Sequence, residues 1–163
     1  MRSMKDFYKA KYRDSIFVVK AGGRIINDKT ARTSLLRDIK ELTEDGIKIL
    51  LVYGGGHAID DALGAAGIEP RKVNGRRITG PREMQIIKTV MAADIGLNLS
   101  KTMAEIGLDG LTLNCLPASW VEVTPRPRDT AEDFGYDGTI DSVHAERIQR
   151  AFDSISFIST PCL

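Results

Sequence analysis

Two apolar segments that each run straight into glycine constrain the fold of this chain most strongly. The first is "SIFVVKAGG" at 15–23, and the second is "IKILLVYGGG" at 47–56. Their β-branched and other apolar residues are typical of strands that are buried on both faces of a parallel sheet. A helical pattern follows each glycine cluster, so both clusters are predicted to be turns between a strand and a helix.

Two helices are predicted directly after these glycine turns. Asn27 or Asp28 is expected to cap the first helix, and Gly46 is expected to end it. The segment "AIDDALGAAG" at 58–67 predicts the second helix. The apolar face of the first helix would consist of Leu35, Leu36, Ile39 and Leu42.

A longer helix is predicted from Pro81, which suits a first helical position, to Ile106. Gly96 is expected to bend or break this helix. Its methionines and isoleucines would pack either in the core or against a second copy of the chain. The apolar positions at helical spacing are Met84, Ile87, Val90, Met91, Ile95, Leu99, Met103 and Ile106.

The remaining segments are shorter. The Asn-Gly pair in "EPRKVNGRRITG" at 69–80 predicts a hairpin or structured loop, and 109–116 predicts a third strand. Alternating β-like pieces with Pro and Gly at 120–141 indicate a hairpin outside the main sheet, in which Trp120 is expected to pack. A helix at 142–153 and a last strand at 154–163 follow. The inward-facing residues of that helix region are predicted to be Val143, Ile148 and Phe152.

This alternation of strands and helices predicts an α/β fold with a mostly parallel sheet sandwiched by helices in three layers, plus a β-hairpin excursion. Residues 1–14 place aromatic residues at helical spacing among lysines, which predicts an amphipathic helix ahead of a domain spanning 15–163. In such sheets, ligands bind beyond the carboxyl ends of the strands.

Composition excludes several classes of function. The chain has 163 residues, which suits one domain, and a net charge of +1, which gives no reason to expect nucleic acid or a membrane surface as partner. It has no run of 18 apolar residues and no secretory signal pattern. Its two cysteines, Cys115 and Cys162, lie in no metal-binding motif, so no metal site is predicted and a cytoplasmic setting is expected.

The two glycine turns are candidates for an anion site. Glycine allows backbone N–H groups to approach an anion closely, and a following helix adds the positive end of its dipole. Lys20 at the end of the first strand would project to the same edge, so the pair of turns suits a phosphoryl group in transfer. Each feature alone is more often an ordinary tight turn or a solvated lysine. The candidate residues are Lys20, Gly22, Gly23, Gly54, Gly55 and Gly56.

Other polar residues are weaker candidates for a functional site. Arg76 and Arg77 follow the Asn-Gly turn, and a guanidinium group is the natural two-pronged partner of a carboxylate, although adjacent loop arginines are usually solvated. His57 is expected to pack at a helix start or cap it rather than act as an acid or base. His144 is expected at the surface, and Asp60 near a helix start suits the helix dipole.

The segments "VVKAGG", "LLVYGGGHAID" and "GIEPRKVNGRRIT", followed by a long helix, resemble the amino acid kinase family, and within it the acetylglutamate kinase branch. The resemblance runs from about Ile16 to the last residue. It implies phosphorylation of a carboxylate by MgATP. Lys20 would then stabilise the phosphoryl group, Gly22 and Gly23 would hold it through backbone N–H groups, and Arg77 would bind the α-carboxylate of the substrate. The triple glycine, Gly54, Gly55 and Gly56, would contact the acyl substrate.

The resemblance also implies partners. The substrate would be N-acetylglutamate-like, arginine is a candidate effector, a homodimer would form through the helix 81–106, and the N-terminal helix would build a higher oligomer. ATP and Mg²⁺ belong to the full-length enzyme. They are not expected to bind this chain, which ends where the nucleotide half of the family begins, so the chain alone is predicted to be inactive.

Four positions depart from the family pattern: Arg24, Tyr53, His57 and the segment "ADIG" around Asp94, where an Asn-Lys pair is usual. They leave open a second interpretation, in which the chain is the kinase-like, amino-acid-sensing domain of an acetylglutamate synthase. The retained lysine at position 20 favours the kinase interpretation.

Overall fold

The computed structural model of the chain describes residues 4–126 and 133–162. The helices are α1 (Met4–Tyr12), α2 (Gly23–Asn27), α3 (Lys29–Glu44), α4 (Gly56–Ala65), α5 (Pro81–Lys88), α6 (Gly96–Ile106) and α7 (Ala145–Ala151). A π-helical segment, Thr89–Ile95, joins α5 to α6. The strands are β1 (Ile16–Ala21), β2 (Lys48–Tyr53), β3 (Lys72–Val73), β4 (Arg76–Arg77), β5 (Leu111–Thr112), β6 (Val121–Pro125), β7 (Gly138–Val143) and β8 (Phe157–Pro161).

Four parallel strands form the central sheet in the order β1, β2, β8, β5. The two strands that end in glycine are therefore neighbours, and Lys20 lies beside Val52 in their register. The predicted third strand is shorter than expected, because only Leu111 and Thr112 pair with β8. The predicted α/β class with a mostly parallel sheet flanked by helices is confirmed.

The predicted helix forms as α3, after the short α2 that directly follows the first glycine turn, and Asp28 rather than Asn27 caps it. The backbone N–H of Ala31 donates to Asp28 Oδ1 at 2.7 Å, which satisfies one of the unpaired donors at the start of α3. Beyond the end of α3, Gly46 has φ of 86°, a left-handed conformation that favours glycine.

One face of the sheet carries the main core. Leu51 and Tyr53 of β2 are fully buried there against α3, α4 and the helical stretch 81–106. The apolar positions predicted along that stretch lie buried or partly buried in this core except Met84, which is half-buried outside it, so core packing accounts for most of the pattern. The stretch deviates from α-helical geometry before Gly96 rather than at it, since Gly96 itself has φ of −59° and ψ of −45°.

The opposite face of the sheet is covered less completely. Leu50 and Ile158 pack there against Trp120 and Phe152, as expected for both aromatic residues. Val18 on the edge strand β1 remains 67% exposed. The expectation for Val143 was wrong: it is 57% exposed, because it ends strand β7 of the hairpin instead of lying on α7.

Both predicted hairpins are present. β6 pairs with β7 in antiparallel fashion, and the predicted connection at 127–132 lies outside the described residues. β3 pairs with β4 across Asn74 and Gly75, whose φ values of 51° and 79° are those of a tight hairpin turn that needs two positive φ angles.

The N-terminal amphipathic helix forms as α1 and rests on the domain. Tyr12 packs edge-on against Phe17 of β1 with ring centroids 5.4 Å apart, and Lys9 Nζ lies 2.5 Å from Asp45 Oδ1. Every helix in the described ranges is too short or too polar to span a lipid bilayer.

Candidate functional site

The two glycine turns lie in direct backbone contact at the carboxyl edge of the sheet. A Cβ atom built on Gly23 would lie 3.2 Å from both Gly54 O and Gly56 N. The backbone N–H of Gly54 also donates to Ala21 O at 3.2 Å. Because any larger side chain at position 23 would press on the other turn, glycine is what lets the two turns meet.

The outer side of the paired turns is open. A Cβ atom on Gly22 or on Gly56 would meet no atom within 4 Å. Gly55 faces the opposite way, since its Cβ would overlap Met91 Sδ and lie 2.9 Å from Ile95 Cδ1. Gly55 is therefore packed on the π-helical segment, whereas Gly22 and Gly56 have free space beside them.

Lys20 lies at this edge as a cation without a partner. It is exposed, occupies the penultimate position of β1 and makes no hydrogen bond or ion pair within the part of the chain that the structure describes. An uncompensated ammonium group beside two glycine turns and the start of α4 gives this edge a positive potential.

Arg24 and His57 bridge the two turns, a contact that sequence reasoning missed. Arg24 Nε donates to His57 Nε2 at 3.3 Å. His57 is the second residue of α4, at the helix start as expected, but Gly55 is the N-cap and the His57 side chain is exposed rather than packed. The bridge adds a second cation beside Lys20 at the open side of the turns.

Arg77 is held by α4 rather than solvated. Its Nη2 contacts Asp60 Oδ1, and Lys72 Nζ lies 2.7 Å from Asp60 Oδ2. Only 14% of the Arg77 side chain is exposed. Asp60 therefore ties the β3–β4 hairpin to the helix that begins at the triple glycine, a role that its position near a helix start did not indicate.

The charge of Asp60 follows from these contacts. Burial acts to raise the pKa of its carboxyl group, but a hydrogen bond from Lys72 and the positive charge of Arg77 outweigh burial and lower the pKa below its ordinary value. Asp60 is thus an anion throughout the neutral range. The neighbouring Arg76 points to a different partner, Asp137, whose Oδ2 lies 3.5 Å from Arg76 Nη1 and 2.7 Å from Arg126 Nε.

A cavity of about 680 Å³ begins at the residue that follows Arg77. Its lining includes Ile78, Gly80 and Pro81, together with Val123 of β6 and Tyr136, which precedes β7. This volume lies within the usual range for small-molecule sites. No cluster of three potential metal ligands occurs among residues 4–126 and 133–162.

Tyr53, immediately before the triple glycine, is buried with its hydroxyl group unpaired among the described residues. A Cβ atom on Gly96 would lie 3.8 Å from that hydroxyl oxygen. Burial raises the pKa of Tyr53 to about 12. The side chain is therefore a neutral part of the core and faces α6.

Comparisons with known proteins agree with this architecture. The model of the amino acid kinase family matches residues 15–161. An acetylglutamate kinase of Lactococcus lactis subsp. cremoris (strain SK11) is 33% identical over 143 residues, which cover 88% of this chain and 49% of the relative. An amino-acid acetyltransferase of Shewanella oneidensis is also 33% identical, over 90% of this chain and 34% of the relative.

Among solved structures, the N-acetylglutamate synthase of Neisseria gonorrhoeae in complex with coenzyme A and N-acetyl-glutamate superimposes with a TM-score of 0.78. The two share 20% sequence identity over 94% of this chain and 35% of that chain, so this likeness concerns the fold. The chain spans about half the length of the acetylglutamate kinases it matches. With its family match, its parallel sheet and its paired glycine turns, the chain belongs to the amino acid kinase family.

Proposed function

We propose that this chain is the acyl-substrate half of an ATP-dependent, acetylglutamate kinase-like enzyme of arginine biosynthesis, which phosphorylates a carboxylate of an N-acetyl amino acid. The observation that carries the proposal is the backbone contact between the two glycine turns beside Lys20, a cation with no partner among residues 4–126 and 133–162. This arrangement suits an anionic group that is transferred between two molecules at the edge of a sheet.

In the proposed site, each group has a distinct role. Lys20 stabilises charge on the phosphoryl oxygens, and the backbone N–H groups of Gly22 and Gly23 hold the same group. The triple glycine at 54–56 contacts the acyl end of the substrate, and Arg77 binds its α-carboxylate. MgATP, when bound to the whole enzyme, supplies the phosphoryl group. A phosphate fits the open side of the turns, where a Cβ atom on Gly22 or Gly56 would meet nothing within 4 Å.

Calorimetry with N-acetyl-L-glutamate tests the substrate assignment. We expect millimolar or tighter binding, and we expect Arg77→Ala to weaken it about tenfold or more, because a charge-assisted hydrogen bond is lost. Arg76→Ala is the matched control, since Arg76 pairs with Asp137 instead. Absence of binding by the wild-type chain would reject the proposal.

Transfer of phosphate is proposed for a protein that contains this chain, because the chain spans about half the length of the related kinases. We expect no turnover of N-acetylglutamate and ATP by these 163 residues alone. A steady release of ADP that depends on the acyl substrate and is lost in Lys20→Ala would overturn that expectation.

A second candidate is a kinase-like domain of an acetylglutamate synthase that senses an amino acid such as arginine. It is favoured by the relative named amino-acid acetyltransferase, which matches as closely in identity as the kinase does. Calorimetry with L-arginine separates the two. Tight arginine binding without N-acetylglutamate binding supports the sensor, and the reverse supports the kinase.

The proposed setting is cytoplasmic, with assembly into a homodimer through the helical stretch 81–106 and into a higher oligomer through α1. Phe7 and Tyr8 on α1 and Leu97 on α6 are large apolar side chains that stay exposed, which supports further contacts of both helices. Sedimentation of the wild-type chain, of a Phe7→Ser/Tyr8→Ser variant and of Leu97→Ser checks this. A monomer at high micromolar concentration would reject the assembly.

A further inference from the structure

Asp60 joins three elements of the fold, α4, β3 and β4. It lies on α4, the helix that begins at Gly56, and its two carboxylate oxygens receive different cations of the β3–β4 hairpin. Oδ1 contacts Arg77 Nη2 on β4, and Oδ2 accepts from Lys72 Nζ on β3 at 2.7 Å. One carboxylate therefore fixes both strands of a hairpin that has only two residues in each strand.

The two ion pairs differ in their surroundings. Lys72 is 45% exposed, so its ion pair is screened by water and is expected to add little stability. The Arg77 side chain is largely enclosed, where a paired charge is held firmly and an unpaired one is costly. Asp60 is therefore mainly the partner of Arg77.

The guanidinium group of Arg77 has a second nitrogen that Asp60 does not use. Nη1 is shielded from solvent and has no acceptor among the described residues. Asp60 Oδ1 makes no hydrogen bond among those residues either, so its contact with Arg77 Nη2 is an ion pair. A buried donor without an acceptor is unfavourable, so an incoming acceptor at Nη1 would be bound strongly. A carboxylate is the natural partner for that nitrogen, since Nη2 is already occupied.

We propose that Asp60 is a positioning residue, which holds Nη2 of Arg77 so that Nη1 is presented to the α-carboxylate of the substrate. This inference rests on the proposed function, because it takes Arg77 as the group that binds that carboxylate. Asp60 itself does not touch the substrate. It acts by restricting the guanidinium group to one orientation, which lowers the entropic cost of binding.

A two-ligand binding experiment tests the positioning role. We would measure the affinity of the wild-type chain and of Asp60→Asn for N-acetyl-L-glutamate and for its α-amide, which lacks the α-carboxylate. We expect Asp60→Asn to weaken binding of N-acetyl-L-glutamate about tenfold and to change binding of the α-amide less than about twofold. In an Arg77→Ala background, Asp60→Asn should add no further loss.

Three control variants complete the design. Asp61→Asn removes the adjacent, exposed carboxylate and should change neither affinity. Asp60→Glu keeps the negative charge and should therefore retain more affinity than Asp60→Asn. It also serves as the second test variant if Asp60→Asn folds poorly. Lys72→Met removes only the exposed ion pair and should cost less than about threefold.

The outcomes separate this inference from the proposed function. If the wild-type chain binds neither ligand, the proposed function is rejected and the positioning role with it. If the wild-type chain binds but Asp60→Asn behaves like Asp61→Asn, only the positioning role is rejected. An equal loss for both ligands would show a general structural effect of Asp60 and would also overturn the inference.

Discussion

The glycine turn after β1 and the glycine turn after β2 follow the same pattern in the sequence but have different surroundings. In the second turn, Gly55 is pressed against Met91 and Ile95, and the preceding Tyr53 is fully buried. In the first turn, a Cβ atom on Gly22 would meet nothing within 4 Å, and the nearby Lys20 is exposed. The second turn anchors the sheet to the core, and the first is better suited to meet a ligand.

Each turn nevertheless contains one glycine that is packed against other atoms and one that faces open space. Gly23 in the first turn presses on the second, and Gly56 in the second turn faces open space. We therefore expect the packed glycines to affect mainly stability and the open glycines to affect mainly ligand binding. The following substitutions test that separation, in order of expected effect.

Gly55→Ala should cause the largest loss. The added methyl group would overlap Met91 Sδ and crowd Ile95 Cδ1 in a fully packed core, so we expect a loss near the upper end of about 1–3 kcal/mol in the free energy of unfolding. Urea denaturation measures it. Gly64→Ala in the same helix is the matched control, because its methyl group meets nothing and should stabilise the chain slightly. Equal effects of the two substitutions would contradict the packing difference.

Tyr53 should make stability depend on alkaline pH. Its pKa of about 12 in the folded chain exceeds the ordinary value near 10, so its full contribution is present below pH 10 and is lost as the pH rises toward 12. The expected loss in the free energy of unfolding is about 2–3 kcal/mol, because the pKa of Tyr53 differs by about two between the folded and the unfolded chain. Denaturation of the wild type and of Tyr53→Phe across this range measures it as a difference. The idea fails if both proteins lose stability in parallel.

Gly23→Ala should cost about 1 kcal/mol, because the new methyl group would lie 3.2–3.3 Å from backbone atoms of the other turn. Backbone atoms cannot rotate away, so the two turns must separate slightly. A loss of N-acetyl-L-glutamate affinity should accompany the loss of stability. Stability and affinity identical to those of the wild type would argue against a functional contact between the turns.

Gly22→Ala and Gly56→Ala should have the smallest effect on stability, within about 1 kcal/mol and in the stabilising direction, since the unfolded chain loses freedom. Both should instead weaken ligand binding, because the methyl groups would project into the open side of the turns. Paired thermal melts and calorimetry measure the two quantities. Unchanged affinity in both variants would place the ligand elsewhere.

Local sequence patterns were sufficient to predict much of this architecture. The glycine turns, the Asp28 cap and the Asn74–Gly75 turn each depend on residues close together in the chain, and the parallel sheet follows from their order. The cross-element contacts could not be predicted. Arg24 and His57 are 33 residues apart, and their contact depends on how closely the two turns approach. Asp60 gains its role only when the hairpin folds back onto α4.

The π-helical segment sets the helical phase of the stretch that supports the second turn. Met91, Ile95, Leu99 and Met103 are spaced by four, and on a regular α-helix such a series would rotate by about 40° at each step. Wider π-helical turns in this stretch reduce that rotation, so residues that face Gly55 and residues that face α3 stay on one side. Because a π-helical turn holds one residue more than an α-helical turn, we expect deletion of one residue from 89–95 to convert the segment to regular α-helix and to leave α6 packed on the core.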